Sequence, residues 1–152
     1  MGLKFRIEID AKPDEVFSDL SDVSRHGEWG NPASNLSVTK TSDGPIGSGS
    51  KFLSTQKFAG KAATAEITIR TFDPPNVMQI AAVQGTPPKT QTYIHTFTLT
   101  PTANGTQVER DIARENASPF AGLAMMLFYP AVKADAMKGL RGLKAKLESR
   151  PG

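Results

Sequence analysis

No cysteine occurs in the 152 residues, and histidine occurs only at His26 and His95. The first absence removes disulfides, thiol nucleophiles and cysteine-based zinc ribbons. The second leaves too few nitrogen ligands for a structural zinc site, so neither a metal nor a cofactor is expected. Long hydrophobic runs are also missing. The most apolar stretch, Phe120–Tyr129, falls well short of the roughly 20 residues a membrane-spanning helix needs. The opening Met-Gly-Leu-Lys-Phe-Arg has no basic segment followed by an apolar run, and no Ser or Thr at the sixth position. Neither a secretory leader nor a myristoylation signal is therefore expected. A cytoplasmic protein is the expectation, with the sequons at Asn35, Asn104 and Asn116 coincidental.

Apolar residues at 38% and charged residues at 22% fit an ordinary globular chain. Residues 1–152 are the size of one domain, large enough to bury a core without covalent staples. The net charge of +3 is mild, and many cations gather late, at Lys133, Lys138, Arg141, Lys144, Lys146 and Arg150. They read as a solvated helix face. No aromatic residues are interleaved with them, which argues against a nucleic-acid partner.

Leu3, Phe5, Ile7 and Ile9 alternate with Lys4, Arg6, Glu8 and Asp10, the period-two pattern of a half-buried strand. Pro13, Asp14 and Glu15 suit the first turn of a helix whose apolar face is Val16, Phe17 and Leu20. A second short helix is expected from Ser21 or Asp22, capped by a side-chain oxygen, to near Gly27. Strands are expected at 36–41, 49–58, 62–73, 77–84, 91–100 and 106–115. Turn residues separate them, including Asp43-Gly44-Pro45, Ala59-Gly60 and Asn104-Gly105. Such short links make successive strands antiparallel neighbours. Val132, Ala136, Leu140, Leu143 and Leu147 then form one helical stripe. Pro130 is expected to break the path, giving segments 119–129 and 131–148. Gly139 and Gly142 cost the helix about 1 kcal/mol each against alanine. They are either merely tolerated or they let the helix lie close to the sheet.

An antiparallel sheet of this size needs one face covered, and the last helix is the only element large enough to cover it. The expected class is α+β. A curved antiparallel sheet of about seven strands wraps a long C-terminal helix, with two short helices after the first strand. Such an arrangement leaves interior space between helix and sheet, the usual setting of a ligand pocket.

Local phrases support the same reading. They are Ala11-Lys12-Pro13-Asp14-Glu15-Val16-Phe17 after the first strand, Leu20-Ser21-Asp22 leading to Trp29, and Gly47-Ser48-Gly49-Ser50 before a strand. Further along come Asp73-Pro74-Pro75, Thr100–Val108 and the helix Leu140–Leu147. In this order the chain resembles the START-like, or polyketide cyclase/dehydrase (SRPBCC), superfamily over nearly its whole length. The resemblance implies the helix-grip (Bet v 1-like) fold with a hydrophobic cavity. It also implies ligands such as lipids, sterols, quinones or polyketides, and in some members cyclisation or dehydration. It assigns no catalytic residue, because no shared catalytic motif maps onto this chain.

Alternation selects the inward side chains. Tyr93, His95, Phe97 and Leu99 share one face of their strand. Val108, Arg110, Ile112 and Arg114 share another, and Phe52, Ser54, Gln56 and Phe58 a third. The apolar interior therefore receives Gln56, His95 and Arg110, and each needs a partner, a water or a ligand. His95 is either a satisfied core histidine or a hydrogen-bonding acid/base facing a ligand. Arg110 is either half of an ion pair, for example with Glu66, or a clamp for a carboxylate, phosphate or enolate oxygen. Arg114, nearer the strand end, is expected at the surface. Trp29 either plugs the core or forms a cavity wall. Met125, Met126, Phe128 and Tyr129 read first as core; an adaptable cavity wall and a mobile flap are the alternatives. The ligand-binding candidates are thus Trp29, Phe52, Gln56, Phe58, Tyr93, His95, Phe97, Arg110, Met125, Phe128 and Tyr129, with His95, Tyr93 and Arg110 as catalytic candidates.

Other motifs fail. Gly44–Lys51 is a near miss for a phosphate loop, with its lysine one residue late and a strand following it. There is no Gly-x-Ser-x-Gly elbow. Three functions stay open: a carrier of a small hydrophobic molecule, a cyclase- or dehydratase-type enzyme, and an interaction module making transient membrane contact. Both a monomer and a homodimer are compatible with the sequence.

Overall fold

A computed structural model describes residues 2–30, 35–58, 61–86, 88–115, 120, 123 and 126–149, apart from the side chains of Phe58 and Thr86. The chain begins with β1 (Leu3–Ile9), α1 (Pro13–Ser21) and a short 3-10 segment (Val23–Glu28). The strands β2 (Ser37–Lys40), β3 (Lys51–Phe58), β4 (Lys61–Asp73), β5 (Val77–Thr86), β6 (Lys89–Thr102) and β7 (Gly105–Arg114) follow. The last element is α2 (Tyr129–Glu148). The seven strands form one antiparallel sheet in the order β1-β7-β6-β5-β4-β3-β2. The helix-grip arrangement expected from the alternation and the final helical stripe is the one observed.

Period two decides what the sheet buries. Phe5, Ile9, Ile67, Ile69, Ile80, Phe97, Leu99 and Val108 are buried on the face that meets the helices. From α2, Ala136, Leu140, Leu143 and Leu147 are buried against them, and Val132 is partly buried. Each fully buried leucine contributes about 1.5–3 kcal/mol. In α1, Pro13 and the acidic pair Asp14 and Glu15 occupy the first turn, and Val16, Phe17 and Leu20 are buried.

Two local expectations are corrected. The second short helix is a 3-10 segment beginning at Val23, and no side-chain oxygen caps it. Its first bond is of the tighter i→i+3 kind, from the Arg25 amide to the Asp22 carbonyl at 3.0 Å, as is usual in short connecting helices. Pro130 does not interrupt α2 but lies within its first turn, where its missing amide proton costs nothing. The interruption falls at Phe128, which is in a turn.

The two ends of α2 are held differently. Near its C-terminus, the Lys146 ammonium reaches Glu28 at 2.7 Å and Asp19 at 3.8 Å. The Lys144 ammonium donates to the Glu8 carbonyl at 2.9 Å, and Glu148 accepts from the Asp10 amide at 2.8 Å. Gly142 lies against Trp29 so closely that a Cβ would stand 2.0 Å from the Trp29 carbonyl oxygen. The helix therefore seats tightly on the Trp29 segment at this point, and close approach is what Gly142 provides. Toward its N-terminus, Val132 and Asp135 face open volume.

Candidate functional site

Between the sheet and the N-terminal half of α2 lies a cavity of about 270 Å³. Its walls follow the strand alternation: Ala63, Ala65 and Ile67 on β4, Ile80, Ala82 and Gln84 on β5, and Tyr93, His95 and Phe97 on β6. Arg110 and Ile112 on β7, Ser54 and Gln56 on β3, and Val38 on β2 continue the wall. Val132 and Asp135 roof it, and Val23, His26 and Leu36 close a side. Three of the wall positions are alanines, Ala63 and Ala65 on β4 and Ala82 on β5. A leucine or phenylalanine at any of them would occupy the space. The volume exists because these side chains stop at Cβ.

The polar groups gather on β6 and β7. Arg110 is the cross-strand partner of Phe97, and His95 lies two residues away on the same face. A long side chain reaches such a diagonal neighbour. The Arg110 Nη2 donates to the His95 Nδ1 at 3.1 Å, and the guanidinium carbon stands 5.5 Å from the centre of the Phe97 ring. The Arg110 Nε is buried with no hydrogen-bond partner among the described residues. Gly139 on α2 lies over this group with space for a side chain, since a Cβ there would stand at ordinary contact distance, 3.6 Å from Arg110 Nη1 and 3.7 Å from the Trp29 ring. The expected pairing with Glu66 does not occur. Glu66 alternates with the inward Ala65 and Ile67 and is exposed, whereas Asp135 on α2 supplies the attraction that Arg110 feels.

His26 completes the cluster. Its Nε2 donates to the Leu20 carbonyl at 2.6 Å, which leaves Nδ1 as the bare nitrogen. Burial lowers its pKa to about 4, with the Arg110 charge acting in the same direction and the Leu20 bond opposing. Burial, then the Arg110 charge, then His26, hold His95 well below the ordinary histidine value. Arg110 is itself lowered to about 10, chiefly by burial, and Asp135 works against the shift. At neutral pH the site therefore presents the Arg110 cation and two uncharged imidazoles, with Asp135 of α2 lining the same cavity and acting on Arg110.

Five of the residues singled out from the sequence, Gln56, Tyr93, His95, Phe97 and Arg110, line this cavity together. Tyr93 contributes its ring, while its hydroxyl donates to Gln91 at 2.9 Å among exposed residues. Trp29 and Phe52 point inward but belong to the core rather than to the cavity wall. Trp29 packs on His26, with ring centroids 4.6 Å apart. Phe128 is 64% exposed and Tyr129 38%, so neither is core or cavity wall; Tyr129 stacks on Phe5 instead. The exposed Met126 and Leu127 precede them. Met125 and the Phe58 side chain lie outside the described residues.

His26, Asp135 and the three alanines were not singled out from the sequence. A signal existed for Asp135, which stands three residues after Val132 and so shares its helical face. Among the described residues no cluster of His, Asp or Glu could hold a metal ion. None of the described helices is long and apolar enough to cross a membrane.

A sequence family described as polyketide cyclase / dehydrase and lipid transport matches residues 3–148. The chain belongs to that family. Solved structures of similar fold include protein MLL2253 from Mesorhizobium loti, with 16% identity, full coverage of both chains and a TM-score of 0.72. The di-domain ARO/CYC StfQ from the steffimycin biosynthetic pathway matches at 17% identity and TM-score 0.75, over 98% of this chain and 51% of its own. DynU16 of the dynemicin biosynthetic locus matches at 18% identity and TM-score 0.65, over 97% of this chain and 47% of its own. At these identities the likeness is one of fold. No curated protein matches the sequence.

Proposed function

We propose that this member of the polyketide cyclase / dehydrase and lipid transport family binds one small, largely hydrophobic cyclic molecule between its sheet and α2. One observation carries the reading: an apolar cavity of about 270 Å³ with Arg110, His95 and His26 converging on it. Ligand sites are typically apolar hollows with a few placed polar groups, and drug-sized pockets span about 300–1,000 Å³. The volume here lies just below that range, which favours a compact ring system over a long-chain lipid. Gln56, Tyr93 and Phe97 would contact its body, and Arg110 and His95 would orient it.

A neutral fluorescent probe, N-phenyl-1-naphthylamine, tests this. Saturable binding that quinones or aromatic polyketides displace is the expected result. Ala82→Phe, which fills the cavity from β5, is expected to abolish it in a protein that still unfolds cooperatively. Probe binding unaffected by Ala82→Phe would place the ligand elsewhere and remove the proposal.

The contact between Arg110 and His95 supports a second reading, cyclisation or dehydration in the same cavity, as does the resemblance of fold to StfQ. There Arg110 would hold an enolate oxygen and a neutral His95 would move the proton. Tyr93, whose hydroxyl is turned to Gln91, fits that role less well. Turnover of a linear poly-β-ketone mimic, lost in His95→Ala, separates the enzyme from the carrier.

A further inference from the structure

Large apolar side chains lie exposed just ahead of α2. Phe120, Leu123, Met126, Leu127 and Phe128 are each more than half accessible to water. Single apolar residues are ordinary on a protein surface, whereas a run of them marks a surface that meets another apolar phase. Area left in water does nothing for the fold. The next residue, Tyr129, stacks on Phe5 with ring centroids 6.2 Å apart, which ties the end of the run to β1.

The charges beside the run carry one sign. From Phe120 to Arg141 the charged residues are Lys133, Asp135, Lys138 and Arg141. The three cations are exposed on α2, whereas Asp135 lines the cavity and acts on Arg110. The flanking acids are engaged: Glu115 accepts from Arg70 at 2.7 Å and Glu148 from Lys144 at 2.6 Å. A twofold dimer built on this face would bring the cations of one copy toward those of the other, so a second copy is a poor occupant. An apolar run beside exposed lysine and arginine suits a lipid interface instead, with hydrocarbon below the headgroups and cations among the phosphates. We propose that the exposed apolar run and the basic face of α2 dock the protein on an anionic lipid surface. Val132 and Asp135, which roof the cavity, follow within two helical turns of Phe128, so docking holds the cavity roof near the bilayer. The inference is independent of what the cavity holds.

Vesicle sedimentation tests it. The wild-type protein is expected to bind phosphatidylcholine vesicles containing about 30% phosphatidylglycerol at least tenfold more tightly than phosphatidylcholine alone. Most of that advantage should disappear in roughly 0.5 M salt. The double variant Leu127→Ser/Phe128→Ser is expected to weaken binding to the anionic vesicles at least tenfold while its urea midpoint stays in place. The triple variant Lys133→Gln/Lys138→Gln/Arg141→Gln is expected to lose the preference for anionic lipid. Wild-type protein that stays in the supernatant, or that binds both vesicles equally, overturns the proposal without recourse to any variant. Anionic-vesicle binding that survives both variants overturns it as well, by placing the contact elsewhere. A concentration-dependent dimer that Leu127→Ser/Phe128→Ser dissociates, with no vesicle binding, assigns the run to a second copy and also overturns it.

Discussion

Arg110 and His95, on neighbouring strands, share a hydrogen bond of 3.1 Å that fixes the chemical character of both. Donation from Nη2 requires an unprotonated Nδ1, so the imidazole carries its hydrogen on Nε2. Protonating Nδ1 would turn that donor against a donor and place two cations side by side.

His95 is therefore expected to stay neutral well below the pH at which an ordinary histidine titrates, because burial and the Arg110 charge both oppose its protonation. Nitrogen-detected NMR of the imidazoles should show Nδ1 as the bare nitrogen and no titration of His95 near its ordinary value of 6.5. In Arg110→Gln the midpoint should move upward. A wild-type His95 that titrates normally would show that the bond does not persist in solution.

The stability of the fold should depend on pH through His26. In the unfolded chain this residue protonates near 6.5, whereas in the native protein it stays neutral down to about 4. Between those values the unfolded state holds the extra proton, so stability is complete above the upper value and falls as the pH drops toward the lower. The loss is on the order of 3 kcal/mol across the window, and His95 adds to it with the same sign. Chemical denaturation followed by the fluorescence of Trp29, which packs on His26, measures this directly. In His26→Gln, which keeps a donor for the Leu20 carbonyl, the slope against pH should flatten. A wild-type midpoint constant from pH 7 to 4.5 would contradict the assignment.

The two glycines of α2 should respond in opposite directions to the same substitution. Gly142→Ala would place a methyl group 2.0 Å from the Trp29 carbonyl oxygen. The neighbour is backbone and cannot step aside, so helix and Trp29 segment must separate. The cost expected is about 1–3 kcal/mol after any gain in helix propensity. Gly139→Ala meets its nearest atoms at 3.6 and 3.7 Å, ordinary contact distances, and should gain up to about 1 kcal/mol. Thermal unfolding of the two variants gives the signs, and equal effects would mean that the helix is not seated as described.

What could be read in advance follows from where periodicity carries information. Strand alternation placed Tyr93, His95, Phe97 and Arg110 on the inner face, and the spacing of Val132, Ala136, Leu140, Leu143 and Leu147 placed α2 against it. Facing inward is not the same as facing the cavity, however. Phe52 and Trp29 satisfy the first condition and are absorbed by the core. The distinction is made by Ala63, Ala65 and Ala82, whose lack of bulk is unremarkable within a strand and acts only once the helix is in place. His26 lies in a 3-10 segment too short to show a period, so its direction was not legible. Glu66, the example named for an ion pair with Arg110, is exposed on β4, whereas the carboxyl group that acts on Arg110 is Asp135 of the facing helix.

Hydropathy alone also misplaced the segment before α2. Phe120, Leu123, Met126, Leu127 and Phe128 are all exposed, between 57% and 80%, although their composition reads as core. An apolar side chain stabilises a fold only by the area it removes from water, and these remove little. Leu127→Ser and Phe128→Ser are therefore expected to change stability by no more than about 0.5 kcal/mol. Tyr129→Ala should cost about 0.5–1.5 kcal/mol beyond its area burial, because its ring stacks on Phe5 at 6.2 Å. Urea denaturation of the three variants decides the matter. A loss above 2 kcal/mol in Leu127→Ser would mean that this segment packs against the body of the protein in solution, and its side chains would then count as part of the core.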